Sequence, residues 1–454
     1  MIHPWTEEAF YRQRDVRTNA ALGRSMETRV GVHVVVDDAA CRSATGQLLL
    51  LSLVNQLARV HRKIGLDLAI PEAPLRTRSV FTGSNLADTA LSGLREIDPF
   101  GSFGLSSQAP SSAMTLGIGP SAPEGLDWYL GAEGAIAALD KSPLQLKVDL
   151  PGSARGAGLA SCLGAAAIFR CANSLPVVPR TLSAWNYSEG ELGDSGPNEL
   201  RPVDVGRVMI VGAGAVSSSL VYWLYVLGVA GVWRVIDKDI VKLHNTNRSL
   251  LFLPSHAGWG GGKIANKAEI AARYLPNSEH EVAWYHDATL ACSPVDVILA
   301  LANEYGVRTS ISSLSFPLVL HATTGENWIT QLHRHIAGRD DCIRCRTADI
   351  KDVRFGCSEG IVSGLNSVEI GQGALPFLSA AAGLMLFTAL ERLAAGELQQ
   401  GVLNDWRWYW DSEHRMSQDG IRSCRAECRQ IQPLAVRKAM HGDTRWIQLE
   451  HKGS

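Results

Sequence analysis

The sequence predicts an α/β chain built from two Rossmann-like halves, on three observations. Residues 208–236 read as a buried strand, a glycine turn, an apolar helix and a second strand. Residues 30–65 repeat the strand–loop–helix order without the glycines. Each half also carries a late Gly/Ala-rich helix, at 156–172 and 373–393, as a duplicated unit would.

In the first half, Thr6 to Glu27 reads as an arginine-bearing helix, Val30 to Val36 (VGVHVVV) as a strand, and the run from Gly46 as a helix. The loop between strand and helix is DDAACRSAT, which offers a phosphate no close backbone approach. This half is expected to keep the fold without binding a nucleotide. Residues 68–128 are rich in Pro, Ser and Gly and carry one strand signal near Ala113 to Gly117; Leu144 to Leu150 alternates like a strand. The polar segment Ser188 to Asn198 reads as a linker. The division is 1–182 for the degenerate half, 183–203 for the linker and 204–454 for the second half.

The second half opens with the strand Val208 to Val211, then Gly212-Ala213-Gly214 and a helix from Val216 to Leu227. Such a junction presents backbone N–H groups and the positive end of a helix dipole to a phosphate. The next strand, Val232 to Ile236, ends in Asp237, placed to meet a ribose hydroxyl. A third glycine is missing and Ser217 to Ser219 stand in its place, so the turn by itself fits an NAD-dependent oxidoreductase or a chance strand-turn-helix equally well. Asp237, Asp239, Asn245, Asn247, Arg248 and Lys267 change that reading. A hydride-transfer enzyme needs one acid for its ribose, whereas these residues supply magnesium ligands, amides and cations for a triphosphate. Val295 to Leu301 reads as a buried strand, and residues 317–332 as a strand pair.

Length and composition set bounds. The 454 residues suit two or three domains, and Lys+Arg 43 against Asp+Glu 45 leaves a net charge of -2, with no sign of a nucleic-acid surface. The N-terminus lacks an apolar secretory segment, and Phe377 to Leu390 is shorter than a membrane span, so no membrane role and a cytoplasmic location are expected. Nine cysteines without a secretory signal argue against a disulfide framework. Cys41, Cys162, Cys171 and Cys292 read as inert core or loop thiols. Cys342 and Cys345, spaced to face one ion, and the later pair Cys424 and Cys428 fit a closed structural zinc site, or else four unrelated reduced thiols. Cys357 stands apart in FGCSEG.

The ordered set GAG, Asp237-Lys238-Asp239, Asn245-Thr246-Asn247-Arg248 and Lys267 resembles the adenylating enzymes that activate ubiquitin and the sulfur-carrier proteins of thiamine and molybdopterin synthesis. The resemblance spans residues 204 to about 430. It implies an inactive adenylation half paired with an active one that binds ATP and magnesium. Gly212 and Gly214 would admit the phosphates, Asp237 hold the ribose, Asp239 support magnesium, and Asn245, Arg248 and Lys267 neutralise developing charge. The family carries Asp where Asn303 stands, so the metal would lose one charged ligand there. Tyr11-Arg12-Gln13 is similar to the family motif whose arginine crosses from the inactive half, which implies that role for Arg12. The zinc pair also fits, although three residues separate Cys424 and Cys428 instead of two. Cys357 falls in the loop that holds the catalytic cysteine of the ubiquitin-like branch.

The expected reaction is adenylation of the C-terminal carboxylate of a ubiquitin-like protein, thioester formation on Cys357 and transfer to a conjugating enzyme with its own cysteine. In size and pairing the chain looks like the stand-alone activating enzymes of bacterial ubiquitin-like conjugation operons associated with phage defence. The alternatives are a sulfur-carrier adenylyltransferase that makes a thiocarboxylate, and a non-catalytic scaffold. A homodimer is left open.

Overall fold

A computed structural model describes residues 6–22, 30–70, 72–145, 153–190, 195–197, 203–302, 306–325, 328–346, 375–411, 416–422, 424 and 433–446. Asn303, Cys357 and Cys428 lie outside the described residues.

The first half begins with two helices, α1 (Glu7–Arg14) and α2 (Val16–Leu22), where one was expected; they part at Asp15, whose N–H ends the first turn on Tyr11 O. Then follow β1 (Val32–Val36), α3 (Asp38–Arg42), α4 (Ala44–Leu57), β2 (Lys63–Leu68), α5 (Leu86–Ile97) and β3 (Ser102–Leu105). The half closes with β4 (Met114–Ile118), β5 (Trp128–Glu133), β6 (Ile136–Asp140), α6 (Ser153–Ala172) and β7 (Arg180–Ser183). The strand expected at 144–150 falls largely outside the described residues; the strands ahead of α6 are β5 and β6.

The second half contains β8 (Asp204–Val211), α7 (Ala215–Leu227), β9 (Ala230–Ile236), α8 (Lys267–Arg273), β10 (Ser278–Glu281) and β11 (Val297–Ala300). It continues with α9 (Val307–Ser313), β12 (Leu318–Gly325), β13 (Ile329–Ile336), α10 (Ile343–Arg346), α11 (Pro376–Ala394), β14 (Leu403–Tyr409), β15 (Met416–Gly420) and α12 (Leu434–His441).

The duplication is visible in the strand order. One sheet runs β3-β2-β1-β4-β5-β6-β7 and the other β10-β9-β8-β11-β12-β13-β14-β15. In each, five parallel strands are followed by antiparallel ones, beginning with β6 and with β13. The second sheet is thus the first plus one strand. Both order reversals lie beside the first strand of the half, where an open α/β sheet forms its crevice.

Four apolar helices, α4 and α6 from one half and α7 and α11 from the other, contribute to one continuous core between the sheets. α11 is long and apolar enough to cross a membrane, but it is buried here as a core helix. Close approach needs small residues: a Cβ on Gly383 of α11 would lie 2.6 Å from the Leu220 nitrogen of α7. The seam also carries polar contacts, among them Ser52 to Tyr222 at 2.9 Å and the buried Arg155–Glu391 pair.

Candidate nucleotide-binding active site

β8 delivers the glycine turn to the crevice. Gly212 has φ +92°, and a Cβ there would sit 2.6 Å from the Ala302 nitrogen, so the position excludes side chains on both grounds. Gly214 is the N-cap of α7; it supplies no side-chain cap, and its Cβ direction opens into empty space. The first N–H groups of α7 are therefore left for an outside acceptor.

The degenerate half has closed the corresponding place with its own atoms. The Asp37 carboxylate accepts from Ala40 N–H at 2.8 Å and from Ser121 N–H at 2.9 Å, and the Ser43 hydroxyl caps α4 through Gly46 N–H at 2.9 Å. An anion would find those donors taken.

Asp237 follows β9 and ties the site together. One carboxylate oxygen accepts from Ala213 N–H at 2.6 Å, the other from Asp239 N–H at 2.7 Å. Each oxygen keeps a lone pair that a ribose hydroxyl can use. Burial pushes the Asp237 carboxyl up, and the nearby Lys267 ammonium opposes that shift. Lys267, at the start of α8, is buried and pairs with the Asp239 carboxylate at 2.8 Å. Asp239, Lys267 and the glycine turn therefore meet through Asp237.

The turn after residue 242 brings the remaining groups. Asn245 is buried, with its amide oxygen accepting Lys242 N–H at 2.9 Å, so it shapes the turn that carries Arg248. Arg248 donates to His244 O at 2.6 Å and to the Asn247 amide oxygen at 3.2 Å. Burial, followed by the charges of Arg248, Arg17, Lys242 and Lys267, pushes the His244 imidazole down to about 3. Burial is the main cause, and the four cations around the ring add to it, so positive side chains cluster at this turn.

Two elements of the first half reach this turn. Phe10 and Tyr11 of α1 pack with Leu243, and Thr18 of α2 accepts from the Asn247 amide at 2.9 Å. Arg12 is exposed on α1, whereas Arg17 of α2 is half-buried and its charge acts on His244. Arg14 is spent elsewhere, on Asp15 and Asp98, each at 2.8 Å. The sequence motif pointed to Arg12; the break of the helix at Asp15, which sets the face each arginine occupies, could not be read from it.

The sulfurs of Cys342, Cys345 and Cys424 lie within 4.8 Å of one another, close enough to share one ion. Cys342 N–H donates to the Cys424 sulfur at 3.1 Å, and burial pushes both the Cys342 and Cys424 thiols up, so without a cation they would stay protonated. The donor set fits a soft divalent metal. Of the thiols read as inert, Cys41 and Cys162 are buried, Cys171 is half-buried and Cys292 is exposed.

Residues 190–401 match the model of the ThiF family. An uncharacterised protein of Sinorhizobium fredii, y4jF, is 28% identical over 267 residues, 56% of this chain and 48% of its own length. The adenylyltransferase and sulfurtransferase MOCS3-1 of Zea mays is 28% identical over 165 residues, 34% of either chain. A SUMO-activating enzyme subunit 2 of Dictyostelium discoideum is 25% identical over 150 residues, 31% of this chain and 22% of that protein. The chain thus spans less than half the length of these curated relatives. The crystal structure of E. coli MccB with ATP is similar at a TM-score of 0.36 and 16% identity, covering 48% of this chain and 65% of that one. Residues 190–401, just under half of the chain, are thus similar to the ThiF family, and with these relatives they support an adenylating protein like the ubiquitin-activating enzymes.

Proposed function

We propose that this chain uses ATP and magnesium to adenylate the C-terminal carboxylate of a ubiquitin-like protein. The observation that carries the reading is one crevice holding an uncapped helix terminus, the Asp237–Asp239–Lys267 set and the Arg248 turn, with four cations bearing on His244. A carboxylate oxygen attacks the α-phosphorus, the bond from that phosphorus to the bridging oxygen breaks, and pyrophosphate leaves. Gly212 and Gly214 admit the phosphates and Asp237 holds the ribose. Lys267 and Arg248 compensate the charge that develops. The cation contributed across the halves comes from the arginines of α1 and α2: the family motif favours Arg12, and the charge that Arg17 places on His244 supports Arg17.

Asp239 is the carboxylate of this site that fits magnesium, a hard cation taking oxygen ligands. It pairs with Lys267 here, so a bound magnesium and triphosphate would have to take the place of that ion pair. Asn303 adds an amide oxygen without charge. The Cys342, Cys345 and Cys424 sulfurs would hold a structural zinc, with Cys428 as the fourth thiol that the sequence offers. Cys357 then attacks the acyl carbon as a thiolate; AMP leaves, and a thioester remains for a conjugating enzyme. The likeness to a SUMO-activating subunit supports this branch, and that to the maize adenylyltransferase and sulfurtransferase supports the second reading, a thiocarboxylate-forming enzyme.

The test is exchange of labelled pyrophosphate into ATP, run with a panel of small ubiquitin-like proteins, any encoded beside this gene included. Exchange that needs such a protein and disappears in Asp237→Ala is expected; its absence with every candidate would leave the scaffold. Cys357→Ala should keep exchange and lose a reducible adduct with the carrier. An intact adduct in that variant would move the thioester to another cysteine, and a thiocarboxylate product would establish sulfur transfer.

A further inference from the structure

The structure assigns to Arg59, a residue of the degenerate half, the role of a positioning residue that clamps the Arg248 turn of the opposite half in its phosphate-facing shape. Arg59 stands just after α4 and is fully buried. Its five N–H groups point at oxygens and at no carboxylate among the described residues. Nε and Nη2 donate to the Asn55 amide oxygen at 3.1 and 2.9 Å, and Nη2 also donates to Leu250 O at 2.9 Å. Nη1 donates to Phe252 O at 3.0 Å and to Thr246 O. Asn55 adds a bond of its own to Leu250 O at 3.2 Å.

The three carbonyls, at residues 246, 250 and 252, bracket Asn247 and Arg248 in the chain. A planar fork that engages all three fixes the path of the backbone between them, as a point-charge ammonium could not. The clamp is electrostatically costly. Burial and the charge of Arg14 push the Arg59 guanidinium down to about 9, and an apolar side chain would fill the space without that penalty. A guanidinium kept there, with three of its five donors on one turn and the other two on Asn55, is explained by the shape it enforces. The degenerate half would then serve the site mechanically through Arg59 as well as electrostatically through Arg17.

The clamp stands on geometry alone, but its consequence for ATP rests on the adenylating reading above. Two measurements on the full chain separate them. In Arg59→Lys, amides of residues 246–252 should exchange with solvent faster while those of β8 and α7 keep their protection. In the same variant ATP affinity should fall about tenfold, the cost of misplacing one charge-assisted contact. Adenosine, which lacks the phosphates, should bind unchanged. Equal loss of ATP and adenosine, or unchanged exchange in the turn, would overturn the assignment. If wild-type protein binds no ATP, the adenylating reading fails, and amide exchange still decides the clamp. If Arg59→Lys does not fold, Asn55→Ala, which keeps the guanidinium but frees its orientation, carries the same comparison.

Discussion

Asp237 shows how one side chain can shape a site and serve it, since both carboxylate oxygens bind backbone N–H groups of the two loops that border the nucleotide crevice. Its loss should loosen the glycine turn as well as remove a ribose acceptor. The arginines give a sharper residue-scale test. Arg17→Ala is expected to weaken ATP binding about tenfold, as loss of a charge-assisted phosphate contact does, with Arg12→Ala near wild type. Isothermal titration checks it. Equal affinity in both variants would remove Arg17 from the site. Thermal melting should hardly change for either, because Arg12 is exposed and Arg17 is half-buried.

At the scale of elements, the contact of α7 with α11 depends on Gly383. The nearest atom to an added methyl is backbone, at 2.6 Å, so a helix must shift to admit it. Gly383→Ala should therefore cost about 1–3 kcal/mol in chemical denaturation, the range for overpacking. Gly158 of α6 faces a side chain instead, the Trp223 ring at 3.1 Å, which can give way; Gly158→Ala should cost less. The reverse order would mean that the helix seam is looser than described. The cysteine turn of α10 makes a second prediction. Purified protein should retain about one zinc per chain, and Cys342→Ser should lose both the metal and thermal stability, since a structural site contributes folding energy. Elemental analysis without zinc in protein prepared free of chelator would remove the staple.

The whole molecule should be acid-labile, and its histidines say why. His244 is pushed down to about 3 and His256 to about 4, burial being the first cause in each. His321 is fully buried, with neither ring nitrogen hydrogen-bonded among the described residues, and is held well below its usual value. All three fold neutral, whereas the unfolded chain takes up protons below about 6.5. Stability must then fall as the pH drops through 6.5 and level off near the folded values. Asp237 and Glu391, pushed up by burial, work in the opposite sense. The urea midpoint should decline from pH 7 to pH 5, before most carboxylates titrate, and His256→Gln should reduce the decline. A flat midpoint over that range would contradict the buried neutral state.

The sequence by itself determined the α/β class, the glycine turn and the residues that gather around it. Strand and helix periods are local, and Gly212 is required by a backbone angle and a contact that no other residue accepts. Asp237, Asp239 and Lys267 were legible for a related reason: short loops after consecutive parallel strands must converge at one end of the sheet. The duplication was legible as two similar helices and β4 by its own signal near Ala113 to Gly117, although β2, β3 and β5 became assignable only through the sheet they share. Tertiary structure alone decided what crosses between the halves. Which faces Arg12, Arg14 and Arg17 occupy follows from the break at Asp15. Asp37 closes the degenerate anion site because Ser121, 84 residues away, is brought to its carboxylate. Arg59 meets Thr246 and Phe252 because α4 packs beside the opposite half. Those partners are nearly two hundred residues apart in the chain, and no local pattern of charge or hydropathy carries that distance.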